Sequence, residues 1–427
     1  MKKIYFYLSV LLLVACQTPN TPDWQDNPPV GIVISKALCP QAEWDKANAI
    51  LMHTPGIELF DGVIHPTAGL FEYYFNVDSA AAEHRHYIEM LRANDIQVIT
   101  VDSILRQMDI TVLCSLAEQV LTYDVSELSP DEAKEVGEDY RQLVLSQMSR
   151  EDLIRCLLLQ PTIRLRKTEL NTGYEAVYEH NSLMNLYFTR DQSISTPKGQ
   201  VICKMNSSQR APETRIIRAC YEALGIEPIY EIEGEGRMEG GDYIPAGTVS
   251  FIGQGMRTNA EAIAQMLEHD VFGHDTVIVA KQHCRWQLEM HLDTYFNIID
   301  KDLCTMVARR KDAPASDPYY ISADIYVRAP GEKTYRLDAE DVSFVNLLRE
   351  RGFDIIPIDE EDELHYANNY LTIAPRHIMA VGGQSQVLQD ALKAHNVTVE
   401  WIPLEQLICG YGAAHCMTQV MQRIPSL

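Results

Sequence analysis

Five residues of this chain have types that together could do chemistry, and the last of them is a cysteine near the C-terminus, Cys416. Three short polar segments precede it: FTRD, which ends at Asp191; MEGGD, which contains Glu239; and MHLDT, which contains His291 and Asp293. A thiolate is a nucleophile, a histidine can move protons, and carboxylates can bind a cation. This combination suits attack on a carbon that is itself positively charged, and guanidinium is such a group.

Each segment also has an ordinary structural explanation when it is taken alone. Arg190 beside Asp191 could be an ion pair at a strand end, the paired glycines of MEGGD could form a plain turn, and Cys416 could be one more buried cysteine. His291 and Asp293, two residues apart, would point the same way on a strand, where the histidine could simply belong to the core. The order and the spacing of all the segments together favour a functional site.

The N-terminus reads as an export signal. Two lysines precede a short apolar run over 4–13, and small residues lead to Cys16. This pattern resembles the bacterial lipoprotein box, so we expect a signal peptide over 1–15, lipidation of Cys16 and a polar tether over 16–35. The protein would then be exported and anchored by lipid to a bacterial membrane. The alternative is an ordinary signal peptide in which the cysteine is accidental.

Composition excludes several classes of protein. The 427 residues carry a formal net charge of −24, which argues against nucleic-acid binding because that needs a basic face. Without Cys16, nine cysteines remain, an odd number whose spacings form no disulfide framework. Neither CxxC nor HExxH occurs, so a metal site is not predicted. The sequence is compatible with a homo-oligomer.

The order of predicted elements indicates an α/β fold in one catalytic domain over 36–427. Short apolar strands alternate with amphipathic helices, and no Pro/Gly/Ser-rich linker divides them. The segment over about 103–170 is rich in Glu, Leu, Gln and Arg and nearly lacks glycine, so we interpret it as a helical insertion. The predicted strands are 49–52, 96–101, 249–253, 277–280, 377–381 and 397–402, and the predicted helices are 80–94, 259–268 and 384–395.

Taken together, the chain resembles arginine deiminase, a guanidine-modifying enzyme of the five-bladed α/β-propeller (pentein) superfamily. The segment 49–59 resembles the first strand and turn of the family, and the helical insertion follows it. FTRD, EGGD, MHLDTYF and HCMT then fall in the family's order. The resemblance implies a pentein-type propeller with no metal and no organic cofactor.

The resemblance also implies a role for each of the five residues. Cys416 matches the nucleophile and His291 the general acid–base. Asp191 and Asp293 match the carboxylates that grip the guanidinium nitrogens, and Glu239 matches the acid that supports the protonated histidine.

Three further residues match the family's binding site for the substrate carboxylate: Asn185, Arg210 and Arg257. They favour a free amino acid over a peptidyl substrate. The chain departs from the family at Tyr411, where an arginine associated with substrate gating usually stands, and at the acidic pair after Phe71, which here is Glu72-Tyr73. These departures affect the admission and identity of the substrate rather than the chemistry.

The expected activity is hydrolysis of free L-arginine to L-citrulline and ammonia through a covalent thiouronium on the cysteine. Two alternatives stay open: an amidinotransferase that passes the amidino group to an amine, and a lipid-anchored arginine-binding protein without turnover. A dimethylarginine hydrolase is disfavoured because those enzymes lack the helical insertion, and a peptidylarginine deiminase would need an open cleft.

Overall fold

The computed structural model describes residues 38–170 and 172–426, so the predicted signal peptide and the whole of the predicted tether lie outside the described residues. The strands are β1 (Lys46–Met52), β2 (Gln97–Thr100), β3 (Thr122–Asp124), β4 (Pro161–Lys167), β5 (Tyr174–His180), β6 (Ser193–Thr196), β7 (Gly199–Ile202), β8 (Tyr230–Glu231), β9 (Tyr243–Ala246), β10 (Val249–Gln254), β11 (Thr276–Lys281), β12 (Phe296–Asp300), β13 (Leu303–Val307), β14 (Ser322–Val327), β15 (Arg336–Ser343), β16 (Asp354–Ile358), β17 (Leu371–Ala374), β18 (His377–Val381), β19 (Thr398–Ile402) and β20 (Gln419–Ile424).

The α-helices are α1 (Leu59–Val63), α2 (Val77–Ala93), α3 (Val101–Gln107), α4 (Ile110–Glu118), α5 (Pro130–Glu132), α6 (Tyr140–Gln147), α7 (Arg150–Leu159), α8 (Glu213–Ala223), α9 (Ala260–Glu268), α10 (Leu292–Tyr295), α11 (Ala308–Lys311), α12 (Phe344–Glu350), α13 (Glu360–Leu364) and α14 (Gln386–Ala394), with a π-helical segment, Ala133–Asp139, between α5 and α6. Among the described residues, no helix is both long and apolar enough to cross a membrane.

Five sheets repeat one arrangement, in which an antiparallel pair is followed by a helix and a parallel strand. The sheets are β20-β1-β2, β6-β7-β8, β9-β10-β11, β12-β13-β16 and β17-β18-β19, and the hairpin β14-β15 extends the third. The crossover helices are α2, α8, α9, α12 and α14. The five-bladed α/β propeller predicted from the sequence is therefore confirmed.

The first blade takes its strands from both ends of the described chain. β1 pairs with β2 in parallel register and with the C-terminal β20 in antiparallel register, from Lys46 opposite Ile424 to Leu51 opposite Gln419. Both faces of β1 are buried, which explains its nearly continuous apolar sequence. This pairing closes the ring of blades and places the segment before β20 at the carboxyl end of β1.

The predicted strands and helices match observed elements to within about three residues at their ends. The segment over about 103–170 contains helices α3, α4, α6 and α7, but its last part differs from the prediction. α7 ends at Leu159, the next residue, Gln160, has left-handed backbone (φ 45°), and Pro161 begins β4. Proline cannot continue a helix, so the helix stops before Pro161. The residues that follow form β4, which pairs with β3 and β5 in a small separate sheet.

Candidate active site

The functional residues share one structural position. We use "lead-in segment" for the residues that run directly into the first strand of a blade. Asp191 lies before β6, Glu239 before β9, His291 and Asp293 before β12, Asn369 before β17 and Cys416 before β20. Since each blade begins at the same end of its sheet, the five lead-in segments meet, and residues far apart in sequence come into contact.

The glycines of the EGGD segment are required by close approach rather than by a special turn, because neither has a positive φ. A Cβ on Gly240 would lie 2.0 Å from the carbonyl oxygen of Arg190, and a Cβ on Gly241 would lie 2.7 Å from Nδ1 of His291. The chain does turn tightly here, in a 3₁₀ turn over Gly240–Asp242 closed by the Asp242 amide donating to the Glu239 carbonyl oxygen at 3.1 Å, and the close approach adds the reason why both positions are glycine.

The FTRD segment is attached directly to the nucleophile segment. The Arg190 amide donates to the carbonyl oxygen of Cys416 at 3.1 Å, and Arg190 Nε donates to that of His415 at 3.3 Å. The Thr189 hydroxyl lies 3.0 Å from both the Leu51 and the Met417 carbonyl oxygens. These contacts fix the position of Asp191 relative to Cys416.

His291 and Asp293 do not lie on a strand, so the prediction made from their spacing is wrong in its geometry. His291 has extended backbone and precedes α10, a single helical turn that contains Asp293. Asp242 holds this segment, because its Oδ1 accepts from the Leu292 amide at 2.9 Å and its Oδ2 from the Thr258 hydroxyl at 2.6 Å. Burial raises the pKa of Asp242 to about 7.

His291 forms a buried pair with Glu239, at 2.9 Å between Nε2 and Oε2. Burial lowers the pKa of His291, but Asp191 and the hydrogen bond to Glu239 outweigh it and raise the pKa to about 9. Burial likewise raises the pKa of Glu239, but Arg257 and His291 outweigh it and hold that pKa at about 2. At neutral pH the pair is therefore an imidazolium and a carboxylate.

The Cys416 thiol lies beside carboxylates that oppose its ionisation. Its Sγ is 3.5 Å from Oδ2 of Asp293. Burial, then Asp293 and Asp191, raise the pKa of the thiol well above its ordinary value. The isolated site therefore holds a neutral thiol, and a cation bound at these carboxylates would favour the thiolate.

Two carboxylate oxygens of the site, Oδ1 of Asp191 and Oδ1 of Asp293, are buried and accept no hydrogen bond from the described part of the chain. The other oxygen of each is engaged, by Arg210 Nη1 at 2.8 Å for Asp191 and by His415 Nδ1 at 2.6 Å for Asp293. Oδ1 of Asp191 lies 3.7 Å from Nδ1 of His291, and both Oδ1 atoms can accept from the N–H donors of a planar guanidinium.

The three predicted carboxylate-binding residues lie at the edge of this cluster and are all buried. Asn185 Nδ2 donates to the Gly69 carbonyl oxygen at 3.0 Å, and Arg210 Nη2 donates to the Asn185 carbonyl oxygen at 3.4 Å. Arg210 also pairs with Asp191 and Glu213, at 2.8 and 2.9 Å. Their role toward a substrate carboxylate stays a prediction.

Arg257 lies on the other side of Glu239, with Nη1 3.6 Å from Oε1. Its Nη2 donates to Gln287 Oε1 at 3.1 Å, and its Nε has no partner among the described residues. Arg210 approaches the other oxygen of the same carboxylate, with Nη1 3.8 Å from Oε2. The two arginines therefore face different oxygens of Glu239.

Tyr411 has left-handed backbone (φ 66°) and is half-buried. Its loop is joined to the segment after Phe71, because the Glu72 amide donates to the Cys409 carbonyl oxygen at 2.7 Å. Burial, then Glu72 and Tyr73, raise the pKa of Tyr411. The two positions at which the sequence departs from the family therefore lie next to each other.

Sequence reasoning missed two residues. Asn369 Oδ1 accepts from the amides of Cys416 and Ala413, at 3.1 and 2.9 Å, and so shapes the nucleophile segment. His415, which contacts Asp293, was not assigned a role. No motif signals Asn369, whereas the position of His415 directly before the nucleophile could have drawn notice to it.

The donor atoms of His291, Asp293 and Cys416 lie within 4.8 Å of one another, as do those of Asp191, Glu239 and His291. Such groups could hold a metal ion, but His291 and Cys416 would first have to lose protons that they hold to high pH. The prediction that the site uses no metal stays a prediction.

Comparison with known proteins places the chain among guanidine-modifying proteins. A family model described as arginine deiminase matches residues 68–423. The arginine deiminase of Halobacterium salinarum is 29% identical, over 90% of this chain and 96% of that protein. The arginine deiminase of Lactococcus lactis subsp. lactis is 24% identical, over 90% of this chain and 97% of that protein.

Solved structures share the fold. Dimethylarginine dimethylaminohydrolase from Pseudomonas aeruginosa, complexed with citrulline, has a TM-score of 0.52 at 16% identity, over 88% of this chain and 99% of that chain. The N-terminal domain of the cyanobacterial arginine dihydrolase ArgZ, bound to substrate, has a TM-score of 0.53 at 14% identity, over 88% and 98%. At these identities the likeness concerns the fold alone.

Proposed function

Because the chain belongs to the arginine deiminase family, we propose that it hydrolyses free L-arginine to L-citrulline and ammonia through a covalent intermediate on Cys416. The observation that carries the proposal is the pair of buried oxygens that accept no hydrogen bond from the described residues, Oδ1 of Asp191 and Oδ1 of Asp293, in a site that also holds the Cys416 thiol and the protonated His291. Carboxylates that lack donors, next to a nucleophile, suit a cationic substrate that brings its own donors.

Substrate binding prepares the nucleophile. The guanidinium donates to Asp191 and Asp293, which fixes its plane for attack, and positioning of this kind is a large catalytic effect. The bound cation also offsets the two carboxylates that raise the pKa of Cys416, so the thiol can lose its proton to solvent and become the thiolate. The substrate thereby helps to ionise the residue that attacks it.

The first half of the reaction releases ammonia. The Cys416 thiolate attacks the guanidinium carbon and forms a tetrahedral adduct. The His291 imidazolium then donates its proton to one nitrogen, which leaves as ammonia, and a thiouronium remains on Cys416. Glu239 supports this step because it keeps His291 protonated at neutral pH.

The second half consumes water. Neutral His291 takes a proton from a water molecule, whose oxygen attacks the thiouronium carbon. The new tetrahedral adduct expels the Cys416 thiolate and releases the ureido product. The hydroxyl proton of the adduct passes to the Cys416 thiolate as the product forms, and His291 is again protonated, so the neutral thiol and the imidazolium of the free site are restored.

The proposed substrate is a free amino acid. Asn185, Arg210 and Arg257 supply buried donors at the edge of the site, and donors of this kind would bind the α-carboxylate of arginine.

An assay of the purified protein with L-arginine tests the proposal directly. Citrulline and ammonia should appear in equal amounts, and the Cys416→Ser variant should produce neither. A new guanidino compound on addition of ornithine or glycine would instead indicate amidinotransferase activity. Saturable arginine binding with no ammonia released would indicate a binding protein.

We propose that the protein is exported and lipid-anchored through Cys16, which lies outside the described residues. The support is the basic start, the short apolar run and the small residues before that cysteine. Expression in a bacterium with labelled palmitate should label the protein and leave it in the membrane fraction. The Cys16→Ala variant should lose the label, and a wild-type protein without lipid would refute the anchor. Light scattering on the purified protein would test a homo-oligomer.

A further inference from the structure

His415, the residue directly before the nucleophile, contacts the substrate-binding carboxylate of Asp293 but takes no part in the reaction steps described above. Its imidazole is fully buried, and Nδ1 donates to Oδ2 of Asp293 at 2.6 Å. On the other side, Nε2 lies 3.5 Å from Oε1 of Glu43, a buried carboxylate that pairs with Arg423 of β20. The ring therefore joins a substrate-binding carboxylate to an ion pair that is anchored in the first blade.

We propose that His415 is the positioning residue for Asp293, and that its hydrogen bond to Oδ2 keeps Oδ1 directed at the guanidinium. The inference rests on the proposed function and adds a residue to it. His415 contacts neither the reacting carbon nor the leaving group, so it acts only through Asp293.

The contacts of the two Asp293 oxygens support this assignment. Oδ2 meets both His415 and the thiol of Cys416, whereas Oδ1 has no partner within the described part of the chain. The terminal torsion of an aspartate is broad, so a carboxylate held at neither oxygen can rotate. Without His415, the carboxylate could rotate, so that either oxygen could face the substrate or the thiol. Asp293 would then hold the plane of the guanidinium less firmly.

His415 also keeps Asp293 ionised. The titratable and charged groups that face Asp293 are His415 and Cys416 from the nucleophile segment, His291 from its own segment, Arg190 from FTRD and Asp242 from EGGD. Burial raises the pKa of Asp293, but the hydrogen bond and charge of His415, then His291 and Arg190, outweigh it and lower that pKa. Removing His415 would therefore raise the pH at which Asp293 takes up a proton.

Three substitutions separate the hydrogen bond to Asp293 from the mere presence of a side chain. His415→Asn places an amide N–H near the position of Nδ1 and keeps the donor. His415→Gln places the amide near Nε2, toward Glu43, and His415→Leu offers similar bulk without a donor. His377→Leu is the matched control, because His377 pairs with Glu400 at 2.9 Å on β18, outside the site.

The measurements are kcat/KM for L-arginine as a function of pH and L-arginine binding in the Cys416→Ser background. Loss of a hydrogen bond to a charged group predicts a fall in kcat/KM of about 10- to 100-fold for the Leu and Gln variants. The acidic limb of their profiles should also move to higher pH. The Asn variant should stay within a few-fold of wild type, and the His377→Leu control should not change.

The outcomes distinguish this inference from the proposed function. If wild type makes citrulline but the Asn and Gln variants have equal kcat/KM, His415 does not act through Nδ1 and the inference is refuted. If the Leu variant does not fold, as judged by its thermal unfolding, the Asn and Gln pair decides alone. If wild type binds arginine without turnover, deimination fails, and the ranking of the variants in binding still decides the role of His415.

Discussion

Replacing Glu239 with Gln should move the alkaline limit of activity to lower pH, because Glu239 supports the protonated form of His291. The pKa of His291 is raised from 6.5 to about 9, a shift equivalent to about 3 kcal/mol. The variant loses the negative charge and weakens the 2.9 Å hydrogen bond. Asp191 and Asp242 continue to raise the pKa while burial lowers it, so we expect it to return toward its ordinary value.

The size of the effect depends on pH. At pH 8, a pKa of about 9 leaves about 90% of His291 protonated, whereas a pKa of 6.5 leaves about 3%. At pH 6 the two fractions are about 100% and about 76%. If ammonia leaves only with a proton from His291, kcat/KM should fall by up to about 30-fold at pH 8, the limit for a pKa of 6.5, and by less than about 2-fold at pH 6.

The assay is kcat/KM for citrulline formation from L-arginine between pH 5.5 and 9.5, since this quantity reports the ionisation of groups in the free enzyme, to which these pKa values apply. Glu58→Gln is the matched control, because Glu58 is a buried glutamate that pairs with another histidine, His53, at 3.0 Å. Glu239 does not support the protonated His291 if the alkaline limb of the Glu239 variant stays where it is in wild type, or if the loss of kcat/KM is the same at pH 6 and pH 8.

Four further predictions concern single residues. Cys416→Ser should abolish citrulline formation while circular dichroism and thermal unfolding stay as in wild type; appreciable residual turnover would remove Cys416 as nucleophile. His291→Ala should trap or prevent the covalent adduct, so intact-mass spectra with adduct behaviour like that of wild type would contradict its role. Arg257→Ala should raise KM for arginine about 10- to 100-fold but leave agmatine, which lacks the carboxylate, nearly unchanged; equal effects on both would mean that Arg257 does not read the carboxylate. Gly241→Ala should lower the free energy of unfolding by about 1–3 kcal/mol and reduce kcat, because the added Cβ would lie 2.7 Å from the His291 ring; unchanged urea midpoint and kcat would show that the ring can move aside.

The elements that were predicted well from sequence are those whose buried face shows as a local pattern of apolar residues. β10 and β18 are buried strands bounded by turns, and α9 has both an apolar face and an Asn259 cap that accepts from the Ala262 amide at 3.0 Å. The hairpin β4-β5 was missed because its residues are half-exposed and share the Leu, Arg and Glu composition of the helices before it. The amino-acid composition therefore gave a wrong prediction of helix for a segment whose side chains are only partly buried.

The sequence alone determined which chemical groups are present, because a cysteine, a histidine and three carboxylates are visible as types and their motifs carry the family order. The tertiary structure decided which atoms face one another. It placed five lead-in segments together through the repeated blade and the pairing of β20 with β1, and it brought His415 and Asn369 into the site without any motif of their own. The physical reason is that a hydrogen bond depends on distance and direction in space, and these follow from how the blades close rather than from any stretch of neighbouring residues.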